Sequence, residues 1–191
     1  MKGKVGIILG VIALIAIVLG IWWVSTSNSI IGLAEEVDNK YADIQTNLQR
    51  RFDLIPNAVE VAKGYAKHES EVFTDIADAR AKLGGAIESG NMEEMLKAND
   101  SLSSSLGRLL VVQENYPELK ADKLFVGLQD QLEGTENRIN VARQDYNASV
   151  TKYNKKIKMW PGSIIANAKG LEAKEQFQAA TEAQNAPKVE F

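Results

Sequence analysis

VGIILGVIALIAIVLGIWWV, residues Val5 to Val24, is the stretch that decides how the chain is built. It carries no charge and no proline; apart from glycines and the Trp22-Trp23 pair, every side chain is aliphatic. Twenty residues at about 1.5 Å rise span roughly 30 Å, the hydrocarbon thickness of a bilayer. A helix satisfies its own backbone groups in lipid, so one spanning helix is the physical reading. The two tryptophans fall where an interfacial aromatic belt would lie. A cleaved secretory signal is the competing reading. Its apolar core would be shorter, about 7–15 residues, and would precede a better small-residue cleavage site than Ser25–Ile30 supplies. A retained anchor is therefore expected.

The flanks set the orientation. Lys2 and Lys4 precede the run, whereas Glu35, Glu36 and Asp38 follow it with only Lys40 nearby. Counting lysine and arginine puts the short N-terminus, 1–4, in the cytoplasm and the body outside. Inside the run, Gly6, Gly10, Ala13 and Gly20 recur at spacings that share one helix face. Small residues let helix backbones approach in lipid, so this face is the candidate for association between copies.

Beyond the anchor, composition narrows the class. With 25 acidic against 22 basic residues, a nucleic-acid partner has no electrostatic support. The absence of cysteine removes disulfides, thiolate chemistry and zinc–thiolate sites together. Ala, Leu, Glu, Gln and Lys dominate, which is helix-forming material. Ile30, Leu33, Val37, Tyr41, Ile44, Leu48, Phe52 and Ile55 recur in steps of three and four and define one apolar stripe.

Pro56 interrupts that stripe. It lacks an N–H and disfavours helical geometry at Ile55, and Asp53 could cap a new start, so a turn is expected here in preference to a kink. A second helix then ends at Gly84-Gly85, a loop signal. A third runs from about Met92 to Glu114 and stops before Pro117. The fourth, marked by Leu124, Leu128, Leu132, Ile139, Tyr146, Val150, Tyr153 and Ile157, is halted by Trp160-Pro161-Gly162. Each helix has one apolar face to bury. The expected fold is all-α: a single transmembrane helix, 5–24, then an antiparallel bundle of long amphipathic helices over 25–160. Heptad-like regularity also allows coiled-coil packing between chains. Residues 161–191 form a C-terminal segment and polar tail, mobile unless something docks it.

Two blocks, RRFDLIPNAVEVAKGYAKHE (Arg50–Glu69) and QLEGTENRINVARQDYN (Gln131–Asn147), resemble the signature blocks of the bacterial LemA proteins. The likeness extends to the anchor, to Leu106-Gly107-Arg108-Leu109 and to the closing Pro187-Lys188-Val189-Glu190-Phe191. Trp160-Pro161-Gly162-Ser163 departs from the family's Phe-Pro-Ser. The resemblance implies a membrane-anchored antiparallel helical domain in a bacterial cell membrane, with some members associated with specialised membranes. It implies no enzymatic activity and no set of functional residues.

The chemistry-bearing residues agree with a non-enzyme. His68-Glu69 starts like a zinc-protease motif, but Val72 stands where the second histidine belongs. No serine sits in a nucleophile elbow, and Gly84-Gly85 lacks a phosphate-loop lysine. No cofactor is expected. The one place where local rules break is Gly134 in mid-helix, which costs roughly 1 kcal/mol against alanine. Close approach of a neighbouring helix would explain it, with Glu136, Asn137 and Arg138 paired to Arg50, Arg51 and Asp53 in a buried polar network. At the fourth helix end, Lys152, Lys155, Lys156, Lys158 and Trp160 form a candidate membrane-surface contact. A turn at Pro56 gives four legs and brings that end back to the headgroups. A kink leaves three and points it away. The expected role is a scaffold that self-associates and organises membrane or envelope components; the alternative is an adaptor presenting a helical face to a membrane enzyme such as a protease. Expected partners are the bilayer, further copies of the chain and, for the adaptor, a membrane protein.

Overall fold

A computed structural model describes residues 2–177, with side chains throughout except at 2, 3 and 5. The tail 178–191, including Pro187–Phe191, lies outside the described residues. All regular structure among them is helical: α1 (Lys2–Tyr65), α2 (Ser70–Ser89), α3 (Met92–Gln113), α4 (Pro117–Ala121), α5 (Lys123–Lys158) and α6 (Gly162–Lys169). The chain divides into two compact units. One holds the residues up to Lys40 and those from Asp145 onward, and the other holds Tyr41–Gln144.

The apolar run forms the first turns of α1, and none of its most apolar window is buried inside the protein. Ile7, Ile12, Leu14, Ile17, Val18, Leu19 and Val24 all face outward. Exposure on every side of so apolar a helix is stable only in lipid, and the segment has the length, composition and exposure of a membrane anchor.

The expected turn at Pro56 does not occur. Helix α1 continues through the proline to Tyr65, and the chain reverses at 66–69 instead. Pro56 cannot donate to the carbonyl of Phe52, one turn back. That carbonyl accepts from Nε of Arg80 on α2 at 3.0 Å. The Arg80 guanidinium also lies 3.8 Å from the Phe52 ring centroid. The group that proline orphans is thus satisfied from a neighbouring helix, and α1 has no reason to end there.

Gly84-Gly85 is likewise no loop. Helix α2 runs on to Ser89 and closes at Gly90, whose φ of 67° makes the left-handed cap. Gly84 lets the Phe52 ring come close: a Cβ there would sit 3.0 Å from its Cε2. Gly134 makes no such approach, since nothing lies within 4 Å of a Cβ built on it. Its neighbour Thr135 is the buried residue.

Within the second unit, Tyr41 reaches Gly90, Phe52 meets Arg80 and Lys63 lies over Phe73, so α2 runs antiparallel to α1. Arg51 meets Asn99 and Glu69 meets Tyr116, so α3 runs parallel to α1. Tyr65 meets Asp122, and Arg51 meets Glu136, so α5 descends. The unit is an up-down-up-down bundle around Ile44, Leu48, Ile55, Ile76, Leu83, Met95, Leu102, Phe125 and Ile139. Asn91 caps α3 through Glu93 and Glu94 N–H, and Asp122 caps α5 through Leu124 and Phe125 N–H.

In the first unit, Lys40 pairs with Asp145 and Glu36 with Lys152, again antiparallel. The end of α5 therefore lies beside the residues that follow the anchor. Four legs remain although Pro56 makes no turn, because the reversal sits ten residues later. After α6, the chain crosses α5 in extended form. Asn154 exchanges two hydrogen bonds with the backbone of Lys174, and Asn147 exchanges two with Phe177. The Phe177 ring packs on Tyr146 at 4.8 Å. Residues 171–177 are a docked strap.

Candidate functional site

Two places gather chemistry that packing alone does not require. The first is the interior of the second unit. Arg51 points into the bundle with 4% of its surface exposed. Its Nη1 donates to Asn99 and to Glu136, and to Ser103 Oγ at 3.0 Å. Burial pushes the guanidinium's pKa down, while the Glu136 and Asp100 carboxylates push it back up. Arg51 Nε and Asn99 Nδ2 find no hydrogen-bond partner among the described residues. An ion pair in such a place fixes which helix faces meet more than it adds net stability.

The other residues expected in this network lie elsewhere. Arg50 and Asp53 line a shallow open groove with Gln45, Gln49, Asn57 and Ile87, where Gln49 donates to Asp53 at 3.0 Å. Asn137 and Arg138 are exposed on α5. The register explains this. On a helix, neighbours in sequence point about 100° apart, so only one residue of each adjacent set can face inward. Asn99 and Ser103 complete the cluster from α3, and a four-residue spacing on a serine-rich helix was their only signal.

The second place is the corner between α5 and α6. Ile157 is buried, whereas Met159, Trp160 and Ile164 are exposed, Trp160 to 78%. Lys155 and Lys158 are exposed; Lys156 is half-buried; Lys152 is drawn off to Glu36. Gly162 makes the corner possible: a Cβ there would lie 2.1 Å from the Lys156 carbonyl oxygen. Lys169 donates to Ser27 Oγ, and Thr26 and Ser27 are buried although they follow the anchor by only two or three residues.

The LemA family model matches residues 40–191. The chain belongs to the LemA family. It is 27% identical over 194 aligned residues to Magnetosome protein MamQ 2 of Paramagnetospirillum magneticum, covering 90% of this chain and 70% of that protein. Against Magnetosome protein MamQ of Magnetospirillum gryphiswaldense the identity is 26%, over 78% of this chain and 64% of the relative. Protein LemA of Metamycoplasma hominis is 26% identical over 83% of this chain and 71% of its own length.

In this LemA chain the two blocks quoted above meet through Arg51 and Glu136, and the first block supplies Phe52 to the contact with Arg80. Its histidine, His68, is exposed in the reversal between α1 and α2. Among the described residues, no group of three or more His, Asp or Glu could hold a metal ion. The Arg51 cluster ties α1, α3 and α5 together, and the α5–α6 corner exposes Met159, Trp160 and Ile164.

Proposed function

We propose that this LemA-family protein is a non-enzymatic, membrane-anchored scaffold that self-associates and organises membrane or envelope components. The observation that carries the reading is one exposed apolar helix continuous with a helical body whose buried polar groups are spent on pairing helices. The name magnetosome protein borne by two relatives supports a role at a specialised membrane. Gly6, Gly10, Ala13 and Gly20 share one face of the span, and small residues there let a second helix approach closely. The N-terminus lies in the cytoplasm and the helical body outside, on the count of flanking lysines.

Extraction from native membranes in mild detergent, followed by light scattering, tests the reading. A large homo-oligomer supports it, and Gly6→Leu with Gly10→Leu should then reduce its size. A fluorescent reporter active only in the cytoplasm, fused after Phe191, should stay dark.

An adaptor that regulates a membrane enzyme is the second reading. Exposed Leu110 and Val111 on one side of the α4 connection, and Leu124 on the other, favour it. Recovery of one stoichiometric partner in the same extraction would establish the adaptor over the scaffold.

A further inference from the structure

The α5–α6 corner carries more than packing explains. A tryptophan, a methionine and an isoleucine stand exposed within six residues, at 78%, 55% and 47% of their surfaces. Helix α5 runs antiparallel to α1 here, so its last residues point back along α1 toward the anchor. Two contacts fix the level. Gly162 abuts Ile30, and Lys169 holds Ser27. At about 1.5 Å per residue, Ser27 and Ile30 lie roughly 5 and 9 Å beyond Val24. The polar layer on each side of a bilayer is about 5–8 Å deep. The corner stands at headgroup height.

We propose that this corner is a second, interfacial contact with the lipid: Met159, Trp160 and Ile164 enter the headgroup layer, and Lys155 and Lys158 bind anionic lipid phosphates. The occupant is lipid because the patch adjoins a membrane-spanning segment and because its charge matches. Lys155 and Lys158 make no ion pair among the described residues. The carboxylates of this unit's α1, Glu36 and Asp38, are engaged higher up by Lys152 and Lys174. Glu35, exposed on α1, stands at that same height. Tryptophan beside lysine is the composition that such an interface selects. Lys152, about 18 Å beyond the span at the level of Glu36, is no part of the contact. The inference needs the anchor but does not depend on self-association.

The chain has no cysteine, so single cysteines report without background. Met159→Cys and Ile164→Cys in the full chain, spin-labelled and reconstituted into mixed phosphatidylcholine–phosphatidylglycerol vesicles, should be reached by oxygen and protected from a water-soluble nickel chelate. Asn39→Cys, exposed on α1 above the corner, should show the aqueous pattern. Lys155→Gln and Lys158→Gln should each weaken the contact about fivefold at low salt, and Lys152→Gln should leave it unchanged. Helical circular dichroism of each variant checks the fold. Labels at 159 and 164 as chelate-accessible as at 39 would overturn the proposal. So would labels shielded from both probes, which would put a second protein surface over the corner. Equal depth in pure phosphatidylcholine would overturn the lysines' part in it.

Discussion

Two prolines, Pro56 and Pro161, meet opposite fates in helices of the same protein. At Pro56 the helix runs on for nine residues; at Pro161 it has already stopped, and the chain turns into α6. Both lack an N–H and have a fixed φ, but the peptide bond before Pro161 is cis and the one before Pro56 is not. The surroundings differ. The carbonyl that Pro56 leaves unpaired receives Arg80 from α2, and one residue earlier Arg51 ties the same turn to α3 and α5. At Pro161 the next residue is a glycine folded hard against Lys156. At Pro56 the helix continues with its lost hydrogen bond replaced from a neighbouring helix.

The largest effect is expected at Arg51. Arg51→Ala strips Glu136 and Asn99 of their partner and should cost about 3–5 kcal/mol by chemical denaturation in detergent. Glu136→Ala leaves the Arg51 guanidinium, the more buried partner, without its counter-ion and should cost a comparable amount. At the other proline, Gly162→Ala places a methyl in the Lys156 carbonyl, where backbone cannot yield. A loss of about 3 kcal/mol, the upper end of overpacking costs, is expected. Hydrogen exchange should show it as loosening of α6 and the 171–177 strap.

Arg80→Ala removes the group that replaces the hydrogen bond lost at Pro56. It orphans the Phe52 carbonyl and removes the contact with the ring, for about 2 kcal/mol. In a Pro56→Ala background the backbone N–H of residue 56 takes the carbonyl, so the same change should cost clearly less. Equal costs in both backgrounds would mean that Arg80 does not compensate for the proline. The smallest effect belongs to the other end of α5. Hydrogen bonds from Phe125 N–H, then from Tyr65, hold the Asp122 carboxyl below its usual pKa. A depressed carboxylate adds stability that is full above the unfolded value, near 4, and is lost as pH falls through the folded one. Asp122→Asn should flatten acid denaturation in that window and leave the Pro161 corner untouched.

Helical register made the site only partly legible in the sequence. The stripe from Ile30 to Ile55 names the buried face of α1 because burial follows the helical period. Arg51 falls within that face, while Arg50 and Asp53 fall outside it. Asn99 and Ser103 could not be read in advance, since short polar side chains look alike on solvated and buried faces. Nor could the strap: Asn147 and Asn154 bind its backbone, which leaves no pattern of side chains to recognise.

Apolar length alone made Val5–Val24 a membrane segment, because lipid imposes its thickness and forbids unpaired backbone whatever the neighbours are. Helical period made the rest a bundle of amphipathic helices for an equally local reason: each residue's face follows from its place in the turn. Where those helices end was a different matter. Pro56, Gly84 and Gly134 all read as breaks or close contacts, and their outcomes depended on Arg80, on the Phe52 ring and on open space, none of them nearby in sequence. Hydrogen bonds and steric contacts between distant residues form only on folding. The ends of α1 and α2 were therefore settled by packing, whereas α3 and α5 end where Pro117 and Trp160-Pro161-Gly162 are read as stops.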